Sequence, residues 1–411
     1  MILFTFLKVN MMTKKAVPKL RHQEFKRDWV AHRLGELATI IRGASPRPIK
    51  NPKWFDQDSQ VGWLRITDVT EQHGRIHHLD QHLSTLGQKK TRVVIEPHLL
   101  LSIAASVGYP VITYLPTGVH DGFVIFKDPS FDLNFMFFWF KQYRPRWRKY
   151  EQTGSQINLN TKIVANTQVF LPGETEQKII AKQFLKLDKI IKIEETKLHK
   201  LHEINHELLE KVFAKGEKLH PILRFKEYHA SWHPHQLGDF GKVLMNKRIF
   251  KKQTSPTGDV PFYKIRTFGK QADAYISRDL FLEYKNNYPF PKKGDLLISA
   301  AGSIGRVIEY DGRDAYFQDS NIVWLDHDGR ILNSFLKPAY QVIRWNGIEG
   351  STIKRLYNKN ILATKINVPS QDEQSEIGKL FAKMEKLIKL QEERVHKFRD
   401  FRQFLFQKMF I

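Results

Sequence analysis

Few stretches of this sequence place reactive side chains at spacings that catalysis needs. Asn51-Pro52-Lys53-Trp54 approaches the [DNS]-P-P-[YFW] loop of an adenine methyltransferase, but it lacks the second proline and no glycine-rich cofactor loop accompanies it. There is no G-x(4)-GK-[ST] run, so a phosphate-cradling ATPase loop is excluded. Asp279, Glu283 and Lys285 have the loose spacing of a nuclease's metal-binding carboxylates and lysine, yet among 43 acids and 66 bases such spacing arises by chance. His73, His77, His78 and His82 lie close together, and His199, His202 and His206 share a helical face. With no cysteine in the chain and no carboxylate in a fixed pattern beside them, they read as surface or partner-contact histidines, and no metal is expected. The lack of cysteine also removes disulfides and thiol nucleophiles and suits a reducing cytosol.

What the chain does carry is positive charge. Its formal net charge is +23, a level that points to a polyanionic partner. The first half concentrates basic residues in loops around Arg42, Ser45, Arg47, Lys50 and Lys53, around Lys89, Lys90 and Arg92, and along Arg144, Arg146, Arg148 and Lys149. The second half does so at Lys247, Arg248, Lys251 and Lys252, at Arg266 and Arg306, and at Lys354 and Arg355. Most of these would meet phosphate, giving salt-dependent affinity without sequence information; a few arginines or amides per domain suffice to read bases. About half the set is expected to be ordinary solvated charge. Ser106 and Tyr109 lie in LLSIAASVGYPVI, and Ser303 lies in LLISAAGSIGRVI. Gly302-Ser-Ile-Gly305 either lets backbone approach DNA or makes an ordinary turn between strands.

The elements that hold these loops come in duplicate. Pro18, Arg21, Glu24, Phe25, Trp29 and Leu34-Gly35-Glu36 recur as Pro221, Arg224, Glu227, Tyr228, Trp232 and Leu237-Gly238-Asp239, and Ser102, Ser106 and Gly108 recur as Ser299, Ser303 and Gly305. Pro172, Glu176-Gln177, Ile180 and Phe184 return as Pro369, Glu373-Gln374, Ile377 and Phe381. Each copy opens with a mixed part, whose β-branched and aromatic runs such as VGWLRITDV and VPFYKIRTF predict strands joined by turns. Helices are expected in LNFMFFWFKQYRPRW and NSFLKPAYQVIRW. The mixed part is followed by a heptad seam: Ile180, Phe184, Leu187, Ile191, Glu194, Leu198, Leu201, Asn205, Leu208 and Val212, then Ile377, Phe381, Met384, Ile388, Gln391, Val395, Phe398, Arg402, Leu405 and Met409. Residues 174–215 and 372–408 are nearly neutral, so the mixed parts hold almost all the excess charge. The fold class is therefore α+β: two similar mixed α/β domains separated by two long helices, each about 34 residues, in an antiparallel coiled coil, with pairing to another subunit as the rival reading of the seams. Matching polar seam positions predicts Glu194 against Arg402 and Asn205 against Gln391.

No stretch reaches the ~18–20 apolar residues of a membrane span. The apolar start Met1–Leu7 lacks the flanks of a signal peptide, and translation from Met11 or Met12 would give an ordinary hydrophilic N-terminus.

In its duplicated layout, its W-x(4)-LG-[ED] openings at Trp29 and Trp232, and the P-x(2–3)-E-Q-x(2)-I helix starts at Pro172 and Pro369, the chain resembles the specificity subunit of a type I restriction-modification system. That resemblance implies an N-terminal tail (1–28), a first target recognition domain (29–172), a first spacer helix (173–215), a linker (216–231), a second target recognition domain (232–369) and a second spacer helix (370–411). It implies a cytoplasmic, non-catalytic protein that reads a split site on double-stranded DNA. Two adenine-methyltransferase subunits would dock on it, and a restriction/translocase subunit could join them. S-adenosylmethionine, Mg and ATP would belong to those partners. The competing readings are a self-contained nuclease or methyltransferase, and a helical scaffold binding RNA or another polyanion.

Overall fold

The computed structural model describes residues 16–95, 97–104, 106–147, 159–347 and 355–411. Met1–Leu7, Met11, Met12, Arg148, Lys149 and Lys354 lie outside the described residues. The chain divides into two compact units, Met1–Glu194 with Arg394–Ile411, and Glu195–Glu393.

The first unit begins β1 (Val30–Arg33), α1 (Leu34–Leu37), β2 (Thr39–Arg42), β3 (Gly62–Trp63), α2 (Ile66–Glu71), β4 (Arg75–Ile76), α3 (Thr85–Gln88) and β5 (Arg92–Val94). It continues with β6 (His98–Ser102), β7 (Pro110–Thr113), β8 (Thr117–Val119), β9 (Phe123–Lys127), α4 (Leu133–Trp147), α5 (Thr161–Ala165), β10 (Gln168–Leu171) and the start of α6 (Glu174–Val212). A five-stranded sheet of order β2-β9-β6-β7-β4 lies beside a three-stranded one, β3-β8-β5. The run Phe135–Phe140 on α4 is buried throughout, because this helix is apolar on several faces and fills the core between the larger sheet and α6.

The second unit holds the rest of α6, then β11 (His233–Gln236), β12 (Gly241–Met245), β13 (Val260–Tyr263), β14 (Tyr275–Ile276), α7 (Arg278–Asn287), β15 (Leu296–Ser299) and β16 (Val307–Glu309). After these come β17 (Tyr316–Phe317), β18 (Ile322–His327), α8 (Asn333–Val342), α9 (Asn358–Leu362), β19 (Lys365–Val368) and the start of α10 (Gln371–Met409). Its main sheet, β12-β18-β15-β16, repeats the order β2-β9-β6-β7. Leu100 pairs with Ile125 where Leu297 pairs with Trp324, and Ile41 pairs with Ile125 where Leu244 pairs with Trp324.

One expected strand run is partly helix. In VGWLRITDV only Gly62–Trp63 is strand, and Ile66–Glu71 turns helical because Asp68 caps its first turn, accepting from the backbone N–H of Arg65 at 2.8 Å.

The Glu-Gln pair at the start of each long helix ties a domain together. Glu176 accepts from Arg21 Nε and Nη2, both at 2.7 Å, and from Trp29 Nε1 at 3.3 Å. Glu373 does the same with Arg224 at 2.8 Å and Trp232 at 3.3 Å. Gln177 accepts from the N–H of Asp132 and donates to the carbonyl of Pro172, as Gln374 does with Leu332 and Pro369. Strand pairs β1–β10 and β11–β19 close each domain next to these anchors.

α6 and α10 are each 39 residues, longer than about 34, because both begin within two residues of their prolines. All twenty seam positions are buried or half-buried. Within the first unit the segments run antiparallel: Phe184 stacks on Phe406 at 4.7 Å, Asp188 receives Arg402 at 2.8 Å, and Glu194 lies 3.2 Å from Arg394. The expected Glu194–Arg402 pair is therefore wrong. Glu194 sits about 9 Å along the helix from Asp188, the residue that Arg402 reaches. Asp188 and Arg394 are not seam residues; they flank it, and the length of an arginine lets flanking positions supply the partner a seam charge needs. Within the second unit Phe213 packs on Phe381 at 5.8 Å and His202 lies 3.8 Å from Glu392, so the segments there are antiparallel as well. Asn205 and Gln391 are half-buried in that unit.

Two outcomes follow in urea unfolding of the full chain. Arg21→Ala, which strands a buried carboxylate, should cost about 3–5 kcal/mol, and Arg224→Ala a similar amount; a loss under about 1 kcal/mol would show the pair to be dispensable. In double-mutant cycles Asp188 and Arg402 should couple by about 0.5–1 kcal/mol and Glu194 with Arg402 by nothing measurable. The reverse ranking would restore the register read from the seam.

Candidate nucleic-acid interface

Antiparallel pairing alternates strand direction, so in the first unit the end of β2, the start of β9, the end of β6 and the start of β7 all meet at one end of the larger sheet. Three loops converge there: residues 43–50, 103–109 and 120–122. Main-chain bonds lock them together, from Gly43 N to Phe123 O (2.8 Å), Ala44 N to Val119 O (2.9 Å) and Ile103 N to Gly122 O (2.8 Å). In the second unit the equivalent loops are 246–250, 300–306 and 318–321, with Ala300 N donating to Asn321 O at 2.8 Å.

The SxG loops are the same structure twice. Gly108 N donates to Ser102 O at 2.8 Å and Gly305 N to Ser299 O at 2.9 Å; Tyr109 N and Arg306 N reach Ser106 O and Ser303 O. Both glycines are left-handed, at φ +73° and +79°, where a Cβ would be strained. These glycines form a turn between strands, at the same sheet end as the basic loops.

Several expected residues gather at this end. Arg42 donates to the carbonyl of Asp121 at 2.6 Å; Ser45 and Arg47 bind the Asp121 carboxylate, each at 2.7 Å. Tyr109 carries the Arg144 guanidinium 5.0 Å from its ring, and Arg144 also donates to Val107 O. Arg92 pairs with Val119, one residue before the 120–122 loop, while Lys89 and Lys90 are exposed just ahead of it at the end of α3. Lys50 is exposed on the 43–50 loop, and Arg146 is exposed at the end of α4, over Tyr143. In the second unit Arg248 binds Asp319 at 2.9 Å, Lys247 lies over Tyr288, and Arg306 and Ser303 are exposed on the SxG loop. Arg355 bridges to Ala301 beside that loop. Arg266 pairs with Asp273 in the β13–β14 connection, which Gln318 ties to the loop cluster through Ile265 N. Lys251 and Lys252 are exposed on the turn immediately after the 246–250 loop, ahead of β13.

The sequence search passed over the acids. Asp121 and Asp319 organise the arginines, and the available signal was an Asp at nearly the same place in both copies, in His120-Asp121-Gly122-Phe123 and Gln318-Asp319-Ser320-Asn321. Burial alone would raise the Asp121 carboxyl, but the Ser45 hydroxyl with Arg47 and Arg42 outweighs it and holds the group below the usual carboxylate range. Burial also pushes His120 below its ordinary value, against the pull of Asp121.

Elsewhere, His77 stacks on Tyr114, His78 binds Asp80, and His199 lies near Glu203. Among the described residues no group of three metal-ligating side chains comes together. Asp279 and Glu283 are exposed on α7, and Lys285 lies over Phe281. No helix among the described residues is long and apolar enough to cross a membrane.

Comparison with known proteins gives this geometry its context. S.HindORF215P of Haemophilus influenzae, provisionally named a type I restriction enzyme specificity subunit, is 54% identical over 153 residues, 37% of this chain and 40% of that relative. This chain thus matches less than half the length of that relative. The S subunit of a type I restriction-modification system from M. genitalium has a similar fold, with a TM-score of 0.60 at 15% identity over 96% of this chain and 99% of that one. A chain solved for the complex assembly and conformational transition of a type I R-M system gives 0.58 at 15% identity, over 94% of this chain and 99% of its own. At such identity these two speak for fold alone. The family model described as the type I restriction modification DNA specificity domain matches residues 26–203 and again 230–397, one copy on each half of the repeat. Matched twice, over most of its length, this chain belongs to the type I restriction-modification DNA specificity family.

Proposed function

We propose that this chain is the DNA-binding specificity subunit of a type I restriction-modification assembly. Each mixed domain reads one half of a split duplex site, and the chain performs no chemistry itself. The observation that carries this reading is the duplicated loop cluster. The same sheet end is built twice on shared main-chain bonds, those of the SxG turn and those from Ile103 to Gly122 and from Ala300 to Asn321, while its side chains differ: Arg42, Ser45 and Arg47 in one copy, Met245, Lys247 and Arg248 in the other. Constant framing with variable polar tips is what two half-sites of different sequence require.

Partners follow from the helices. α6 exposes Ile190 and Ile193 in the first unit, and the repeat-equivalent Leu387 and Leu390 are exposed on α10 in the second. Apolar residues left in water at matching places support docking of two copies of one partner, the adenine-methyltransferase subunit, with a restriction/translocase subunit joining them. Those partners would supply S-adenosylmethionine, Mg and ATP chemistry, in the cytoplasm where the DNA is.

Two measurements test this. DNA from cells expressing this chain with its adenine-methyltransferase partner should carry a split motif methylated at adenines in both halves; a single contiguous motif, or none, would overturn the reading. The affinity of the assembled complex for duplex should fall with salt, and Lys50→Ala with Arg92→Ala should flatten the log–log slope by up to about two units. An unchanged slope would remove both residues from the phosphate footprint.

A further inference from the structure

An acid on a DNA-facing surface is costly. It repels phosphate, and a phosphate-binding arginine gains nothing from having a carboxylate beside it. Yet in both domains the loop after the first sheet strand is tied to the loop before its paired strand by an exposed arginine on an aspartate. These are Arg47 on Asp121 and Arg248 on Asp319, at 2.7 and 2.9 Å.

Within each pair the two partners are unequally exposed. The arginine side chains are 70% and 61% exposed, whereas the aspartates are 34% and 17%. Each acid is thus the fixed half and each guanidinium the presented half. Asp121 is itself held, its Oδ1 by the Ser45 hydroxyl and its backbone N–H by the same oxygen. One edge of each guanidinium is spent on the acid. Arg47 binds through one hydrogen of Nη2 and keeps the other together with Nη1 on the free edge, while Arg248 binds through Nε and keeps both terminal nitrogens. Arg330–Asp328 and Arg313–Asp311 differ: each joins residues two apart within one turn, at the opposite end of the sheet.

We propose that Arg47 and Arg248 are the guanine-reading residues of the two domains, one per half-site, and that Asp121 and Asp319 orient them. The proposal rests on the chain being a DNA specificity subunit and names where that specificity resides. A guanidinium that must meet O6 and N7 of one guanine needs a fixed plane; one that meets phosphate does not. Holding it beforehand removes the rotamer freedom an exposed arginine would lose on binding. By strand register Arg248 corresponds to Ser45 rather than to Arg47, so the two domains present their arginines from different places on the loop. The guanine therefore occupies a different position in each half of the motif.

The test is methylation mapping in cells expressing the full chain, wild type or variant, with its adenine-methyltransferase partner. Arg47→Ala should relax one G·C position in one half of the split motif, by at least about fivefold, and Arg248→Ala one position in the other half only. Arg47→Lys keeps the charge but loses the fork and should relax the same position; Asp121→Asn should relax it to a lesser degree. An unchanged motif with methylation reduced evenly at all sites would make these arginines phosphate contacts and overturn the proposal, as would relaxation in both halves at once. Should Arg47→Ala abolish methylation altogether, Arg47→Lys decides: an unchanged motif rejects the proposal and a relaxed one upholds it. If the wild-type chain yields no split motif, it is the reading of the whole protein that falls, and the proposal with it.

Discussion

A carboxylate buried at the first turn of each long helix is the constraint from which the rest of each unit is built. Glu176 and Glu373 are almost fully buried, and such a charge is tolerable only when each oxygen is paired. The forked guanidinium of Arg21 or Arg224 covers both oxygens, and the indole N–H of Trp29 or Trp232 takes a further site. The segment before the domain and the tryptophan that opens it, eight residues apart, are thereby fixed to the helix that leaves the domain more than 140 residues later. Replacing the acid by a hydrophobic residue of similar size would remove the desolvation cost and also the geometric specification.

With that point fixed, the sheet end opposite the domain's closing strands is free to vary. The loops there hang from main-chain bonds that any sequence can make, apart from glycines at left-handed positions such as Gly108 and Gly305. The exposed side chains between those bonds, unlike the buried Ile103, Val107 and Ala300, carry no packing burden. Ser45 and Lys247 differ in size and charge from their counterparts without disturbing the ladder beneath. A DNA-reading surface needs this separation of duties, because specificity changes residue by residue while the frame persists.

The duplication was legible because it is written in residue types whose roles are rigid. A buried Trp, an Arg–Glu fork and a helix-starting Glu-Gln tolerate little substitution, so they align by eye. The helical seam was legible for the same reason: a heptad of apolar residues has one physical meaning. What could not be read is what long side chains decide. Arg402 reaches Asp188 and Arg394 reaches Glu194 from beside the seam, a choice of rotamer that periodicity does not encode. Short elements escaped too, as with Ile66–Glu71, where the single capping Asp68 overrides a β-branched run. The acids Asp121 and Asp319 escaped because a search for polyanion contacts looks for cations.

The first unit is not continuous in sequence. Its core holds Phe184 and Ile180 from one helix together with Phe406, Met409 and Phe410 from the other, and the whole second unit is encoded between them. On a ribosome adding about 5–20 residues per second, roughly 10–40 s separate the two contributions. The second unit, contiguous from Glu195 to Glu393, can bury its aromatics as soon as it emerges. The domain made first is therefore completed last, and until then Phe184 and Phe138 wait without the aromatic ring that stacks on them in the finished protein. During synthesis that unfinished core leaves apolar rings in water, the condition under which partly folded chains aggregate.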